Sequence, residues 1–256
     1  MSDYPPEDHV LRDLRIESWL EAEDHSFAEL PVDDAVRDRS GAVSIGALTT
    51  LVDIACARVS FAAAQPHWIA TADLSIARGV PVHDGVVQAE AKVSKAGSKL
   101  ISIEVDLHGA GTAAATFARI PRSASEVVRA LPSVGERTSM PLLGASRSGA
   151  ITERMGLRAA HGGVELDRTD YVRNSFGTIN GGVLGFLVAA AAEDATGLVA
   201  ADLVLRYLGQ TKVGPAHAAA TVVRTGTDHA VCDVRVRDAG ADGFLLARAT
   251  VTTVRA

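Results

Sequence analysis

The 256-residue sequence is poor in aromatic residues, with six Phe, three Tyr and two Trp. A core built on large rings is therefore excluded, and packing must rest on Ala, Val, Leu and Gly. Only two cysteines are present, Cys56 and Cys232, both in apolar surroundings. Their number excludes a disulfide framework and favours a reducing compartment. Positive charge is not in excess: 25 Lys and Arg stand against 31 Asp and Glu, a formal net charge of -6. That balance argues against a dedicated nucleic-acid binder. The eight histidines show no metal-ligand spacing. No apolar run reads as long and unbroken enough to span a bilayer. The N-terminal "MSDYPPEDHVLRDL" is acidic and polar, unlike a signal peptide. The expectation is a soluble cytoplasmic protein with no metal, membrane or nucleic-acid partner.

What is present is a repeat. "ELPVDDAVRDRSGAVSIGALTTLVDIA", from Glu29, aligns with "ELDRTDYVRNSFGTINGGVLGFLVAAA", from Glu165. The numbering offset is 165 − 29 = 136, and Asp34/Asp170, Arg37/Arg173, Gly41/Gly177, Gly46/Gly182 and Leu51/Leu187 coincide. Further on the offset becomes 202 − 73 = 129, pairing Asp73/Asp202, Leu74/Leu203, Gly85/Gly214 and Val105/Val234. Two copies indicate a tandem duplication and exclude a solenoid.

Each copy has the same order of elements. A lead-in ends at a glycine, and an apolar helix follows, from Ser44 to about Phe61 or from Asn180 to about Asp194. Then come strands. "HWIATADLSIAR", "GVVQAEAKVSKAG", "SKLISIEVDLHGAG" and "TAAATFARI" alternate and break at glycines. The second copy offers "LVAADLVLRYL", "AHAAATVVRTG", "HAVCDVRVRDAG" and "FLLARATVTTVR". Strands joined so closely should be antiparallel. A helix apolar nearly all round should be buried, and a curved sheet wrapped around it would bury it. The fold class expected is α+β. Residues 1–125 form the first repeat with its lead-in, and 150–256 form the second. Residues 126–149, rich in Ser, Pro and Gly, form a linker with one short helix.

The stretch "SFGTINGGVLGFLVAAAAED" opens like a ligand-holding helix. Asn180 can cap it, Gly181 and Gly182 let a ligand approach the backbone, and the first charge is Glu193. One helix followed by antiparallel strands, with Gly-Gly at the helix start and Asn174 six residues ahead of Asn180, resembles the hotdog fold. In particular it is similar to PaaI-like acyl-CoA thioesterases. Their pattern is an Asn, a His-Gly-Gly at the helix start, and an Asp eight residues after the first of those glycines. The resemblance covers about 29–125 and 150–256 and implies a double hotdog whose active site is shared between the repeats. It also implies an acyl-coenzyme A substrate, with no further cofactor. Because single hotdogs commonly form tetramers, it implies a homodimer as well.

Carried over residue by residue, the pattern divides between the copies. In the second copy the carboxylate position is Ala189, whereas in the first it is Asp53. The first copy lacks the Gly-Gly entrance, reading Ser44-Ile45-Gly46, with Asp38 in place of Asn174. The family's water-holding hydroxyl falls on Thr71 in the first copy and on Ala200 in the second. The resemblance thus implies one composite site. Asp53 would be general base or nucleophile, and Thr71 would orient water. Gly181 would be the main oxyanion donor, with Asn174 and Asn180 beside it and Gly182 open to substrate. Asn180 stands where the family has His. Arg78, Lys99 and Arg206, with Lys95 and Lys212, are candidate partners of the coenzyme A phosphates. Competing readings are a non-catalytic acyl-CoA binding or sensing protein, and a hydratase or dehydratase. The latter needs a His–Asp pair, and no His near either helix fits.

Overall fold

A computed structural model describes residues 4–122, 133–141 and 149–256. The first repeat contains α1 (Val10–Asp13), β1 (Glu17–Ala22), β2 (His25–Pro31) and the long helix α2 (Ile45–Ala64). Strands β3 (Trp68–Arg78), β4 (Val86–Ala96), β5 (Leu100–Asp106) and β6 (Gly111–Ile120) follow. A short β7 (Thr138–Ser139), α3 (Ile151–Met155), β8 (Arg158–Ala160) and β9 (Gly163–Leu166) lead into α4 (Gly181–Thr196). Strands β10 (Val199–Tyr207), β11 (Ala216–Thr225), β12 (His229–Asp238) and β13 (Phe244–Val254) close the chain. Residues 133–141 contain no helix, and the remainder of the linker, with any short helix in it, lies outside the described residues.

Among the described residues, thirteen strands form one sheet, in the order β7-β1-β2-β4-β5-β6-β3-β10-β13-β12-β11-β9-β8. The fold is a double hotdog: two wrapped antiparallel sheets joined edge to edge, each around its own helix. The joint is the antiparallel pair β3–β10, in which Val204 lies opposite Ser75. Those two residues are equivalent under the 129 offset. The pseudo-twofold axis therefore passes between them. The β1–β2 hairpin of the first repeat and the shorter β8–β9 hairpin of the second extend the sheet toward its two ends.

Both helices are specified locally. The Ser44 hydroxyl caps α2 by accepting from the Ala47 N–H at 3.2 Å, and the Asn180 side chain caps α4 by accepting from the Gly182 N–H at 3.0 Å. Gly197, at φ 69°, ends α4 in the left-handed conformation that glycine adopts without strain. At 20 residues, α2 has the length and composition to cross a membrane, contrary to the expectation that no run does. Here it is the core helix of its repeat. Leu48, Leu51, Val52, Ala55 and Val59 are fully buried, and each large aliphatic side chain contributes roughly 1.5–3 kcal/mol.

The two helices pack on each other across the axis through glycines. A Cβ on Gly46 would lie 2.4 Å from the Phe186 ring, one on Gly182 2.6 Å from the Thr50 Cα, and one on Gly185 2.5 Å from the Thr49 Cβ. Residues 46 and 182, 50 and 186, and 49 and 185 are repeat equivalents. The same contact is thus made twice, once in each direction. This close crossing brings the N-terminus of each helix beside the middle of the other.

Candidate active site

Where the N-terminus of α4 meets the third turn of α2, a cavity of about 400 Å³ opens. Asp53, Thr71, Asn174, Asn180 and Gly181 all line it, the first two from one repeat and the rest from the other. The remaining wall is largely apolar, including Ala57, Trp68, Ile69, Phe117, Phe176 and Leu184.

Asp53 is enclosed by protein except on the cavity side. The Thr71 hydroxyl donates to its Oδ1 at 2.8 Å. A Cβ on Gly181 would stand 3.2 Å from its Oδ2, so the carboxylate lies against the start of α4. Burial pushes the Asp53 pKa from 3.8 up to about 6; the Thr71 hydroxyl and the Gly182 N–H hold it back from rising further. The group is therefore mostly ionised near neutral pH yet far more basic than an exposed carboxylate. Gly181 is the first residue of α4, where backbone N–H groups lack intrahelical acceptors and the helix dipole is positive. A base and an electropositive backbone donor thus flank one apolar cavity, as water attack on a carbonyl requires.

Asn174 and Asn180 have local structural work too. Asn174 Oδ1 accepts from the Phe176 N–H at 2.9 Å and the Thr178 N–H at 3.3 Å, fixing the turn before the helix. The equivalent Asp38 Oδ1 accepts from the Ser40 N–H at 2.8 Å. Asn180 Oδ1 is engaged as the α4 cap. In both residues it is the amide NH₂ that remains to meet a ligand.

Four residues expected to bind substrate lie elsewhere. Gly182 faces α2, its α-carbon pressed on Thr50, because the helix crossing takes the space a ligand would need. Arg78 donates to Asp38 Oδ2 at 3.0 Å in a pair whose side chains are only 7% and 4% exposed. Arg206 is exposed on β10. In the burial alternation of that strand, Leu203 and Leu205 point inward and Val204 and Arg206 outward. Lys99 is exposed in the turn between β4 and β5 and does not line the cavity.

Tyr207 is a site residue that sequence reasoning missed. Its hydroxyl donates to the Gly181 carbonyl at 2.9 Å, and it lines the cavity. A signal existed: Tyr207 is the 129-offset equivalent of Arg78 and continues the inward alternation of Leu203 and Leu205. Trp68 and Phe176, 5.7 Å apart and edge-to-face, were also missed.

The pseudo-equivalent position holds a smaller cavity of about 170 Å³, lined by Asp38, Ser44, Ile45, Ala189 and Glu193 among others. No carboxylate stands at Ala189, and the Ile45 side chain is buried at the helix start. Glu193 instead accepts from the Ala200 N–H at 2.9 Å, and burial raises its pKa.

The sequence matches two family models in tandem. Residues 40–115 match the "Thioesterase superfamily" model, and residues 171–254 match the "Acyl-CoA thioesterase N-terminal domain" model. An acyl-ACP thioesterase from Bacteroides thetaiotaomicron superposes with a TM-score of 0.59 at 11% identity, over 89% of this chain and 96% of that one. The tesB protein of Mycobacterium avium subspecies paratuberculosis superposes with a TM-score of 0.62 at 11% identity, over 96% and 98%. At such identities the likeness establishes the fold alone, over most of the chain. No protein of curated function matches the sequence. Fold and family matches define a tandem hotdog protein. The chain belongs to the thioesterase superfamily and is a thioester hydrolase.

Proposed function

We propose that this thioester hydrolase acts on an acyl-coenzyme A at one composite site per chain, with Asp53 as the base. The observation that carries this reading is the buried Asp53 carboxylate, bonded by Thr71 of its own repeat and lying against Gly181 at the helix start of the other. The acyl chain occupies the apolar cavity, and the thioester carbonyl oxygen meets the Gly181 N–H. The Thr71 hydroxyl spends its proton on Asp53, which leaves its lone pairs to accept from a water molecule. Asp53 removes a proton from that water as the oxygen attacks the carbonyl carbon. Negative charge develops on the carbonyl oxygen, where the N–H and the dipole of α4 stabilise it. Collapse of the tetrahedral intermediate breaks the C–S bond and expels the coenzyme A thiolate, which takes the proton back from Asp53.

The opposite combination of halves offers Ala189, Ala200 and Ile45, so the chain carries a single competent site. Both halves belong to one chain, and we propose in addition the homodimer that the resemblance implies. Release of free thiol from a panel of acyl-CoAs tests the reading. Turnover of at least one is expected, with a loss of ~10²–10⁴-fold in Asp53→Asn and retained binding of a non-hydrolysable acyl-CoA analogue. Near-normal turnover in that variant would remove Asp53 from the mechanism.

A further inference from the structure

The short helices that lead into the repeats each reach across to the other repeat. The Val10 N–H, at the start of α1, donates to the Tyr171 carbonyl at 2.9 Å, and the Ile151 N–H, at the start of α3, donates to the Ala35 carbonyl at 2.9 Å. Tyr171 and Ala35 are repeat equivalents, 171 − 35 = 136. Each lead-in therefore sits on the turn that precedes the other repeat's core helix. One residue earlier the two lead-ins differ: His9 precedes α1 and Ala150 precedes α3. His9 is 1% exposed, and both its ring nitrogens are engaged. Nδ1 accepts from the Leu11 N–H at 3.2 Å, and Nε2 lies 2.8 Å from the Arg173 carbonyl. A carbonyl can only accept and an N–H only donate, so the ring is neutral with its proton on Nε2. Burial lowers the His9 pKa, which favours the same neutral form.

The carbonyl that His9 holds belongs to the peptide whose N–H is that of Asn174. That N–H donates to the Thr178 carbonyl at 2.7 Å, so both ends of the peptide are tied. Along this segment the carbonyls alternate in direction. Those of Tyr171 and Arg173 take donors from the α1 lead-in, and that of Val172, between them, accepts from the Asn180 N–H at 2.9 Å. Asn174 and Asn180, which both line the cavity, thus hang from three residues that the lead-in grips. Asp13 of α1 adds an anchor, accepting from the Tyr171 hydroxyl at 2.6 Å and from Arg154 at 2.8 Å. We infer that His9 is a positioning residue: by holding the Arg173 carbonyl it fixes where Asn174 presents its amide at the competent site. The catalytic meaning of this hold rests on the function proposed above, whereas the hold itself consists of direct hydrogen bonds. The asymmetry of the repeats points the same way. At the cavity that has Ala189 in place of a carboxylate, the residue equivalent to His9 is Ala150, whose side chain has no donor.

Glutamine and asparagine divide the two bonds of the ring. A glutamine amide nitrogen has about the reach of Nε2, whereas asparagine reaches only as far as Nδ1 and is a good helix cap. In the full chain, kcat and KM for an acyl-CoA are measured in His9→Ala, His9→Asn and His9→Gln, and amide hydrogen exchange over residues 171–180 is followed by mass spectrometry. His9→Ala and His9→Asn are expected to lose roughly tenfold in kcat, short of the ~10²-fold that a 1 Å misplacement can cost, with KM changing less. Exchange over 171–180 should quicken in both. Outside that segment and α1 it should keep the wild-type rate, which separates a local hold from a general loss of stability. His9→Gln should recover most of the loss in both readouts. Wild-type kcat in His9→Asn would reduce His9 to a cap on α1 and overturn the inference. Unchanged exchange in His9→Ala would overturn it too, as would quickened exchange with kcat intact. If the wild-type chain turns over no acyl-CoA, the function proposed above fails, and exchange in the three variants still decides whether His9 holds the turn.

Discussion

Asp53→Asn should make the protein more stable and nearly inactive, and the stability gain should depend on pH in a specific way. The Asp53 carboxyl titrates at about 6 in the fold against 3.8 in the unfolded reference, chiefly because it is buried. At about 1.36 kcal/mol per pH unit, that difference is about 3 kcal/mol of preference for the protonated form. The sign follows from linkage. The folded state binds the proton more tightly than the unfolded state, so the favourable contribution is complete below pH 3.8 and is lost as pH rises through 6. Above about pH 7 the wild type carries the full cost of an ionised, desolvated carboxylate. Asparagine has no such cost, and its amide can turn to donate to Thr71 and accept from the Gly182 N–H. Urea unfolding of both proteins at pH 5 and pH 8 measures the difference. The variant should gain up to about 3 kcal/mol at pH 8, or roughly 6–12 °C in Tm for a chain of this size, and clearly less at pH 5. A gain that is equal at both pH values, or absent at pH 8, would refute the argument that burial has made Asp53 a strong base at the expense of stability.

Other perturbations separate chemistry from scaffold. Thr71→Val removes the hydroxyl that stabilises the Asp53 carboxylate, so the acid limb of the pH–rate profile should move upward; an unmoved limb would detach Thr71 from the titration. Gly182→Ala drives a methyl into the Thr50 backbone and should destabilise by ~1–3 kcal/mol in urea unfolding. Gly181→Ala instead presses on Asp53 Oδ2, and kcat should fall more than stability does. Arg78→Leu strands a buried carboxylate at Asp38 and should cost ~3–5 kcal/mol while leaving KM for an acyl-CoA in the wild-type range. A raised KM would return Arg78 to substrate binding.

The sequence made visible whatever was periodic or repeated. Both core helices and eight of the strands follow from alternation, glycine breaks and caps, and the resemblance to hotdog thioesterases, laid over the two copies, implied which copy's carboxylate and which copy's helix start to pair. What it concealed has physical causes. The β1–β2 hairpin, "ESWLEAEDHSFAELP", mixes acids with apolar residues on a sheet edge where one face is only partly covered, so its alternation is weak. The assignment of Arg78, Lys99 and Arg206 to phosphates used charge without direction, and direction on a strand is decided by parity. Arg206 and Tyr207 are neighbours in the chain, yet one turns to solvent and the other to the cavity. Arg78 and Tyr207 are equivalent in the repeat, and both turn inward, because the 129 offset is odd in number but preserves the register of each strand against its own helix. Inward parity on β10 continues past Leu205 and puts Tyr207 on the same face, toward the start of α4. The asymmetry of the two sites then extends past Asp53 and Ala189 to a third position. One cavity receives a neutral hydroxyl, which donates to the Gly181 carbonyl. The other receives a guanidinium, which needs a carboxylate of its own and finds it in Asp38.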